Sequence, residues 1–464
     1  MSKLIEIKTN NFDIKLFQNR VFDNKIFEDL YVSKFSDIVN LHLYLIKNLD
    51  SGWYAEVLFK EKKYLLNDHI SSKRIYINVD SGEWSTDFWA LRDRNTNLSS
   101  NNVNELKVRG YLTGRKTILN KIDKLLPGHF YDFEEKYHNE ETLNSLLKNI
   151  SNEYSDLPNL FEKEKNHNKK IGIAFSGGLD STFIASKLKL KYSEIKLYYM
   201  FCPAIDHEAK INLIQSQNIS NNLNLDLISI EVTKTEIDNK YNFFKEKYPN
   251  DTSIGFVAMK IFIDKISKKC DIIYTGQNSD TFLTFGLSRA LHPLESLSRF
   301  TYLKLYKNIF LNKKLNFFES SIIKLVYKLR RLKTEDIPNS KQDLLLSLAN
   351  EKYYLAIHRD SNETNSNQTL RLYEGLNYHQ SIIANKFINH ISGNHSLVWS
   401  DNDNVEIILP FSNIEFIGYC CDRISSFSFE KMFNPKSILK KNLDFKFSRI
   451  KESSFTRIKR YFKI

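Results

Sequence analysis

The segment Ile-Gly-Ile-Ala-Phe-Ser-Gly-Gly-Leu-Asp-Ser-Thr, residues 171–182, decides the fold of this chain. Its first five residues form a short apolar run that is typical of a buried strand, and the residues after the loop predict a helix through Lys189. Two adjacent glycines let backbone N–H groups turn inward as a nest, and the start of a helix adds partial positive charge. The segment therefore predicts a site for an anion of pyrophosphate size.

The side chains of this loop extend the prediction. Its hydroxyl groups can donate to phosphate, whereas the carboxylate of Asp180 would repel phosphate unless a cation lay between them, which predicts Mg²⁺. The loop is neither a Walker loop nor a dinucleotide fingerprint, because the Lys and the third Gly of those motifs are missing. The simpler alternative is a strand-to-helix turn with a Ser N-cap and a Gly at positive φ. The residues expected to contact the nucleotide are Ser176, Gly177, Gly178, Leu179, Asp180, Ser181 and Thr182.

The chain after residue 170 alternates strands with helices. This alternation predicts an α/β domain with a parallel sheet and right-handed crossovers, whose site lies at the carboxyl ends of the strands. After the first strand, the expected strands cover residues 195–201, 225–232 and 271–275, and a further helix covers 254–268.

The chain before this point has a different pattern. Residues 12–137 form short alternating segments broken by polar turns, which predicts a β-rich unit, followed by helical spacing at Leu143, Leu146 and Leu147. A polar stretch over 162–170 separates the two patterns. We therefore expect one domain over residues 1–150 and a second over 151–464.

The composition is that of a folded protein. The chain has 464 residues with 42% hydrophobic and 26% charged residues, enough for two cores. The net charge of +12 is spread along the chain, which does not favour nucleic acid as a partner. The four cysteines lack Cys-x-x-Cys spacing, and no apolar run is long enough to span a membrane. We expect a cytoplasmic location, and a homodimer is compatible with the sequence.

A strand followed by Ser-Gly-Gly-x-Asp-Ser resembles the signature of the PP-loop ATP pyrophosphatases, and further segments resemble asparagine synthetase within that group. The resemblance implies that ATP and Mg²⁺ bind here. In the segment Thr-Gly-Gln-Asn-Ser-Asp-Thr, it implies that Gly276 contacts the nucleotide and that Asp280 is the second metal ligand beside Asp180. Asn278 stands where the family has Gly, and Thr281 stands where it has an acidic residue. Local substrate contacts are therefore expected to differ.

The resemblance also implies catalytic residues further along the chain. Val-Glu-Ile-Ile-Leu-Pro-Phe is similar to a family segment whose Glu lies near the acyl-adenylate, which gives Glu406 the role of orienting or deprotonating the amine. Tyr373 and Tyr378 are candidate partners for Glu406, although packing is the stronger interpretation of each. Arg-Ile-Lys-Glu-Ser-Ser-Phe resembles a family segment whose Lys stabilises developing phosphate charge, here Lys451. Lys436 matches a Pro-Lys segment of structural character.

The first domain resembles the glutaminase domain of the same family. Gly-Trp-Tyr-Ala-Glu-Val-Leu from Gly52 and Leu-Pro-Gly-His ending at His129 carry that resemblance. The family nucleophile is an N-terminal Cys, whereas position 2 here is Ser. An N-terminal Ser can in principle act as a nucleophile, as Thr does elsewhere, but the loss of the Cys favours a domain without glutaminase activity. The resemblance thus implies a degenerate Ntn-hydrolase-type α+β sandwich that does not hydrolyse glutamine, followed by the parallel-sheet synthetase domain.

The function implied is an AMP-forming carbon–nitrogen ligase. A substrate carboxylate attacks ATP, pyrophosphate leaves, and an amine or ammonia then displaces AMP to form an amide. Family members without the nucleophile act on small-molecule carboxylates and amines, such as sugar acids or peptide precursors, and the sequence does not choose among them. Two alternatives stay open: a PP-loop enzyme that adenylates a nucleic-acid base, and a scaffold without activity.

Overall fold

We describe a computed structural model of the chain. The residues that it describes are 3–9, 11–18, 24–49, 51–93, 96–109, 112, 114–150, 157–161, 169–203, 208–250, 254–283, 380, 383–384, 405–425 and 436–443. Two groups of elements follow each other along these residues, and each group is built around its own kind of sheet.

The first group consists of antiparallel strands with flanking helices. Its strands are β1 (Lys3–Lys8), β2 (Phe12–Gln18), β3 (Trp53–Phe59), β4 (Lys62–Asn67), β5 (Tyr76–Asn78), β6 (Trp84–Ser85), β7 (Ile122–Lys124), β8 (Phe130–Asp132) and β9 (Tyr137–Asn139). Its helices are α1 (Asn24–Val32), α2 (Ile38–Leu49), α3 (Ser100–Arg109) and α4 (Glu141–Ile150), with a 3₁₀ turn at Trp89–Leu91.

These strands form a six-stranded sheet in the order β1-β2-β3-β4-β8-β9 and a three-stranded sheet in the order β6-β5-β7. In β2 the residues Phe12, Ile14 and Leu16 are buried, and the alternate side chains Asp13 and Lys15 are more accessible. Such alternation is what an antiparallel strand with one face on the core requires. The predicted β-rich character of this part is confirmed, while its Ntn-hydrolase-type identity stays a prediction.

The second group alternates strands and helices. Its strands are β10 (Ile171–Ala174), β11 (Ile195–Phe201), β12 (Leu227–Glu231), β13 (Ile272–Thr275) and β14 (Glu406–Ile408). Its helices are α5 (Leu179–Lys189), α6 (Ala209–Leu223), α7 (Lys234–Lys247), α8 (Ile254–Ile266), α9 (Ser279–Leu283), α10 (Ile414–Ser425) and α11 (Ser437–Lys441), with a 3₁₀ turn at Pro410–Ser412.

The sheet of this group has the order β12-β11-β10-β13-β14, and all of its pairs are parallel. The chain moves outward from β10 through β11 to β12 and then returns to the other side of β10 with β13. A crevice therefore opens between the carboxyl ends of β10 and β13, which is where ligands bind in open α/β sheets. This confirms the predicted mixed α/β architecture with a parallel sheet.

The two sheets share their main hydrophobic cluster. It contains Trp53 from β3, Leu146 and Leu147 from α4, and Phe175 and Phe411 beside the parallel sheet. Helix α4 packs against both α2 and α10, so it lies between the two groups. The boundary predicted near residue 150 thus falls at the end of a helix that belongs to a continuous core, and the division into two domains stays a prediction. Within the described ranges, no helix combines the length and apolar character needed to cross a membrane.

Candidate active site

The loop between β10 and α5 makes a sharp turn at its first glycine. Gly177 has φ +67°, and a Cβ atom built on it would lie 2.4 Å from Ser216 Oγ and 3.0 Å from Ser216 Cα. Gly178 has an ordinary φ of −74° and is the N-cap of α5. Only a residue without a side chain fits the first position, because both the left-handed φ and the closeness of α6 oppose a Cβ. At Gly178 neither the backbone conformation nor a close helix opposes a Cβ.

Two of the three predicted hydroxyl donors hold the loop together. The hydroxyls of Ser181 and Thr182 donate to the carbonyl of Gly178 at 3.1 Å and 2.8 Å, and both side chains are buried. Ser181 Oγ also accepts from the backbone N–H of Ser176 at 3.3 Å. Ser176 is the exposed residue of these three, and its Oγ accepts from the backbone N–H of Gly178 at 3.2 Å and lies 3.3 Å from Ser181 Oγ. Leu179 begins α5, where the first backbone N–H groups lack intrahelical acceptors.

The two predicted metal ligands come together at the crevice. Asp180 lies in the first turn of α5 and Asp280 in the first turn of α9, which follow the adjacent strands β10 and β13. Between them lies the ammonium of Lys436, 2.5 Å from Asp180 Oδ2 and 2.7 Å from Asp280 Oδ1. Ser279 Oγ donates to the other oxygen, Asp180 Oδ1, at 2.9 Å. The carboxylates therefore converge on one cation, which the sequence had predicted to be a metal.

The electrostatics of this cluster follow from burial and mutual charge. Burial raises the pKa of Asp180, the ammonium of Lys436 lowers it, and the charge of Asp280 raises it, with a net increase. Burial lowers the pKa of Lys436, but the charges and hydrogen bonds of the two carboxylates outweigh burial and raise it overall. Lys436 is therefore a stable cation at neutral pH, held in place by two acidic partners.

The site residues also suit a divalent cation. Among the described residues, no group of three or more His, Cys, Asp or Glu side chains is placed to hold a metal ion. A pair of carboxylates without further protein ligands is the donor set that Mg²⁺ uses when it keeps several waters and binds substrate phosphates. The oxygens of Asp180 and Asp280 already point at a shared cation position. The chemistry of the pair thus fits Mg²⁺.

Gly276 brings the two loops into close contact. A Cβ atom at this position would lie 3.0 Å from Asp180 Cβ and 3.2 Å from Ser181 N, so the backbone after β13 passes directly against the start of α5. The resemblance implied that Gly276 contacts the nucleotide. The absence of a side chain at Gly276 lets the two carboxylate-bearing loops approach each other, and its contact with the nucleotide stays a prediction.

Asn278 has a left-handed backbone conformation. Its φ is +67°, a left-handed conformation that Gly adopts freely and that Asn tolerates better than other residues. Its side-chain N–H donates to Ser412 Oγ at 2.8 Å, whereas its Oδ1 is buried without a hydrogen-bond partner among the described residues. Thr281, the second departure from the family pattern, is buried in α9. Both residues support the loop that carries Asp280.

Sequence reasoning missed one contributor from the antiparallel part. His69 follows β4, and its Nε2 donates to the carbonyl of Ser412 at 2.6 Å. Since the hydroxyl of the same Ser412 accepts from Asn278, a hydrogen-bonded series joins β4 to the loop after β13. Nothing in the sequence around His69 signals this contact, because it depends on how the two sheets meet. Lys436 was likewise noted only for a structural Pro-Lys segment.

Glu406 does not join the site, which corrects the expectation that it lies near the acyl-adenylate. It is the first residue of β14 and pairs with Ile272, the first residue of β13, so it lies at the amino-terminal edge of the parallel sheet. The crevice lies at the other edge, one strand length away, which is about 10 Å for three residues. The carboxylate of Glu406 instead contacts the ammonium of Lys169 at 3.1 Å. Lys451, Tyr373, Tyr378 and Ser2 lie outside the described residues.

The chain matches no protein-family model. It also matches no curated protein. Solved structures give partial matches. NMN synthetase from Francisella tularensis is 14% identical over 32% of this chain and 58% of that chain, with a TM-score of 0.20. A predicted tRNA methyltransferase subunit from Methanocaldococcus jannaschii is 19% identical over 36% of this chain and 90% of that chain, with a TM-score of 0.19. The U34-tRNA thiolase from Methanococcus maripaludis is 14% identical over 43% of this chain and 65% of that chain, with a TM-score of 0.19.

These matches cover limited parts of the molecules compared. The chain spans less than two thirds of the NMN synthetase chain and of the thiolase chain. No family is assigned to the chain from them.

Proposed function

We propose that this chain is an ATP-using adenylating enzyme that releases pyrophosphate at the crevice between β10 and β13. The observation that carries the proposal is the convergence of Asp180 and Asp280 on one cation position beside a glycine turn at a helix start. Glycine turns of this kind bind phosphate through backbone N–H groups. Carboxylates beside a phosphate site serve to hold a cation, because they would otherwise repel the phosphates.

The reaction proposed is acyl adenylation followed by amide formation. A carboxylate oxygen of the substrate attacks the α-phosphorus of ATP, the bond from that phosphorus to the bridging oxygen breaks, and pyrophosphate leaves with the electron pair. The nitrogen of an amine or ammonia then attacks the acyl carbon and loses a proton to solvent. The bond from the acyl carbon to the phosphate oxygen breaks, and AMP leaves with its electron pair. Support for this finer assignment is the resemblance to asparagine synthetase. Ser2 in place of the nucleophilic Cys supports an amine source other than glutamine hydrolysis in this chain.

The residues of the site take separate parts in this proposal. Asp180 and Asp280 would hold Mg²⁺, which neutralises pyrophosphate charge when it is bound. The exposed Ser176 and the backbone N–H groups from Gly177 to Leu179 bind the phosphates, for which the N–H of Gly178 exchanges its present bond to Ser176 Oγ for a phosphate oxygen. Lys451, which resembles the family's charge-stabilising Lys, is proposed to act on the same phosphates. Glu406 has no part in it.

The test is exchange of radiolabelled pyrophosphate into ATP by the purified full-length chain, with pools of small carboxylic acids supplied in separate reactions. A pool of transfer RNA forms another arm, which distinguishes adenylation of a nucleic-acid base. We expect exchange that depends on a carboxylate and on Mg²⁺, and a loss of roughly 100-fold or more in Asp180→Asn and Asp280→Asn. Lys451→Ala is expected to lower exchange in the same assay.

The matched control is Asp226→Asn, which removes an exposed carboxylate just before β12 and should leave exchange unchanged. Thermal unfolding of each variant separates loss of chemistry from loss of fold. Full exchange in a folded Asp180→Asn protein would contradict the proposal. Absence of both exchange and ATP binding in the wild-type chain would favour the scaffold alternative.

A further inference from the structure

Lys436 occupies the position between the two carboxylates that the proposed function gives to a metal. Its ammonium contacts Asp180 Oδ2 at 2.5 Å and Asp280 Oδ1 at 2.7 Å, and its side chain is 18% exposed. It reaches this position from the start of α11, which packs against α5. Three elements distant in sequence therefore meet at one cation. An arrangement of this kind does not arise from a surface lysine that samples solvent.

The ammonium and a divalent cation would draw on the same two carboxylates. Asp180 Oδ1 already accepts from Ser279 Oγ, so the contact with Lys436 uses the remaining oxygen of that carboxylate. Lys436 contacts the second oxygen of Asp180 and one oxygen of Asp280, so a metal held by both carboxylates would lie close to its ammonium. Like charges at that distance repel, so each cation weakens the binding of the other.

We propose that Lys436 is the resident cation of this site and competes with the divalent metal for Asp180 and Asp280. The inference rests on the proposed function only in taking the carboxylate pair as a metal site. Metal alone must break two charge-assisted hydrogen bonds of Lys436 and therefore binds weakly. Metal together with the phosphates of a nucleotide binds better, because the displaced ammonium then gains a new anionic partner. Metal binding is thus coupled to nucleotide binding.

The first experiment measures Mn²⁺ binding by electron paramagnetic resonance without nucleotide, in the wild-type chain, in Lys436→Met and in Lys440→Met. We expect Lys436→Met to bind Mn²⁺ at least about tenfold more tightly than wild type, since no ammonium has to be displaced. Lys440→Met removes the same charge from the same helix but lies outside the two ion pairs, so its Mn²⁺ affinity should match wild type. Equal or weaker binding in Lys436→Met overturns the proposal.

The second experiment uses the wild-type chain and so does not depend on a variant folding. Acetylation of Lys436 by an amine-reactive reagent is followed by mass spectrometry in EDTA and at rising concentrations of Mn²⁺ without nucleotide. Protection should be strong in EDTA and should fall as Mn²⁺ saturates the site, because the displaced ammonium leaves the carboxylates. Unchanged protection at saturating Mn²⁺ would overturn the proposal.

The outcomes separate this inference from the proposed function. If Mn²⁺ displaces Lys436 but no carboxylate or nucleic acid supports pyrophosphate exchange, the enzymatic proposal fails and the competition stands. If exchange occurs but Lys436→Met leaves Mn²⁺ affinity unchanged, the enzyme stands and the competition fails.

Discussion

Replacing Gly177 by Ala should destabilise the protein far more than replacing its neighbour Gly178. At Gly177, a left-handed φ of +67° costs a residue with a Cβ about 1–2 kcal/mol. The new Cβ would also lie 2.4 Å from Ser216 Oγ and 3.0 Å from the Cα atom of that serine, and overpacking against a helix costs about 1–3 kcal/mol. The sum is a loss of about 2–5 kcal/mol.

Gly178 is the matched control. Its φ is −74°, and the atom nearest to an added Cβ is the hydroxyl oxygen of Ser176 at 3.1 Å, a side-chain atom that can shift at the cost of weakening its bonds to Gly178 N–H and Ser181 Oγ. Gly178→Ala should therefore lower stability by less than about 1 kcal/mol, which is the usual effect of Ala at an N-cap. The two substitutions add the same methyl group to adjacent residues, so composition does not explain a difference between them.

The assay is urea unfolding of both variants followed by circular dichroism, with the shift in midpoint converted to free energy through the common slope. The same pair is then measured with Ser216→Ala, which removes the hydroxyl oxygen at 2.4 Å and leaves the Cα atom at 3.0 Å. That background should recover part of the loss in Gly177→Ala and change Gly178→Ala little. Equal losses for the two glycines, or no recovery with Ser216→Ala, would refute the reasoning.

Three further predictions concern residues around the site and in the core. Burial lowers the pKa of His42 to about 3, whereas the imidazole of the unfolded chain binds a proton near pH 6.5. Because the unfolded state binds more protons below that pH, stability is lost as pH falls. Between pH 6 and pH 5 the free energy of unfolding of wild type should fall by about 1 kcal/mol more than that of His42→Gln, as measured by urea unfolding at both pH values. The same fall in both proteins would contradict this. Asn278→Ala should lower the free energy of unfolding in urea by about 1–2 kcal/mol, because it loses a hydrogen bond and adds strain at a left-handed residue. Asn278→Gly should lower it less, because Gly relieves the strain, and the reverse order would exclude that explanation. Glu406→Gln should keep its rate of pyrophosphate exchange, and a large fall would restore the catalytic role first expected of it.

Local patterns predicted β10, β11 and β13 of the parallel sheet well because each of these strands is a mostly buried apolar run. The strands at 171–174, 195–201 and 272–275 lie where apolar runs predicted them, within one residue at either end. The three leucines with helical spacing before residue 150 are buried in α4. The apolar pattern that indicates each of these elements lies within its own segment, so periodicity is sufficient to predict it.

Contacts between distant segments were not predictable from periodicity. The strand β14 pairs with β13 across more than a hundred residues, and its register sends Glu406 to the far edge of the sheet. A motif match alone gives the order of residues but not the edge at which a strand begins. The role of Lys436 was missed for the same reason. One lysine among many basic residues carries no local signal, and its contacts form only where α11 meets α5 and α9.

The departure at Asn278 connects the antiparallel part of the molecule to the chemistry of the crevice. A glycine at this left-handed position would satisfy the backbone but could not hydrogen-bond to Ser412. Asparagine accepts some strain and gains that bond, and the carbonyl of Ser412 in turn accepts from His69 in the first group of elements. The loop that carries Asp280 is therefore braced from the antiparallel sheet through side chains. The first group thus helps to position a carboxylate of the site, a physical task that does not depend on a nucleophile at position 2.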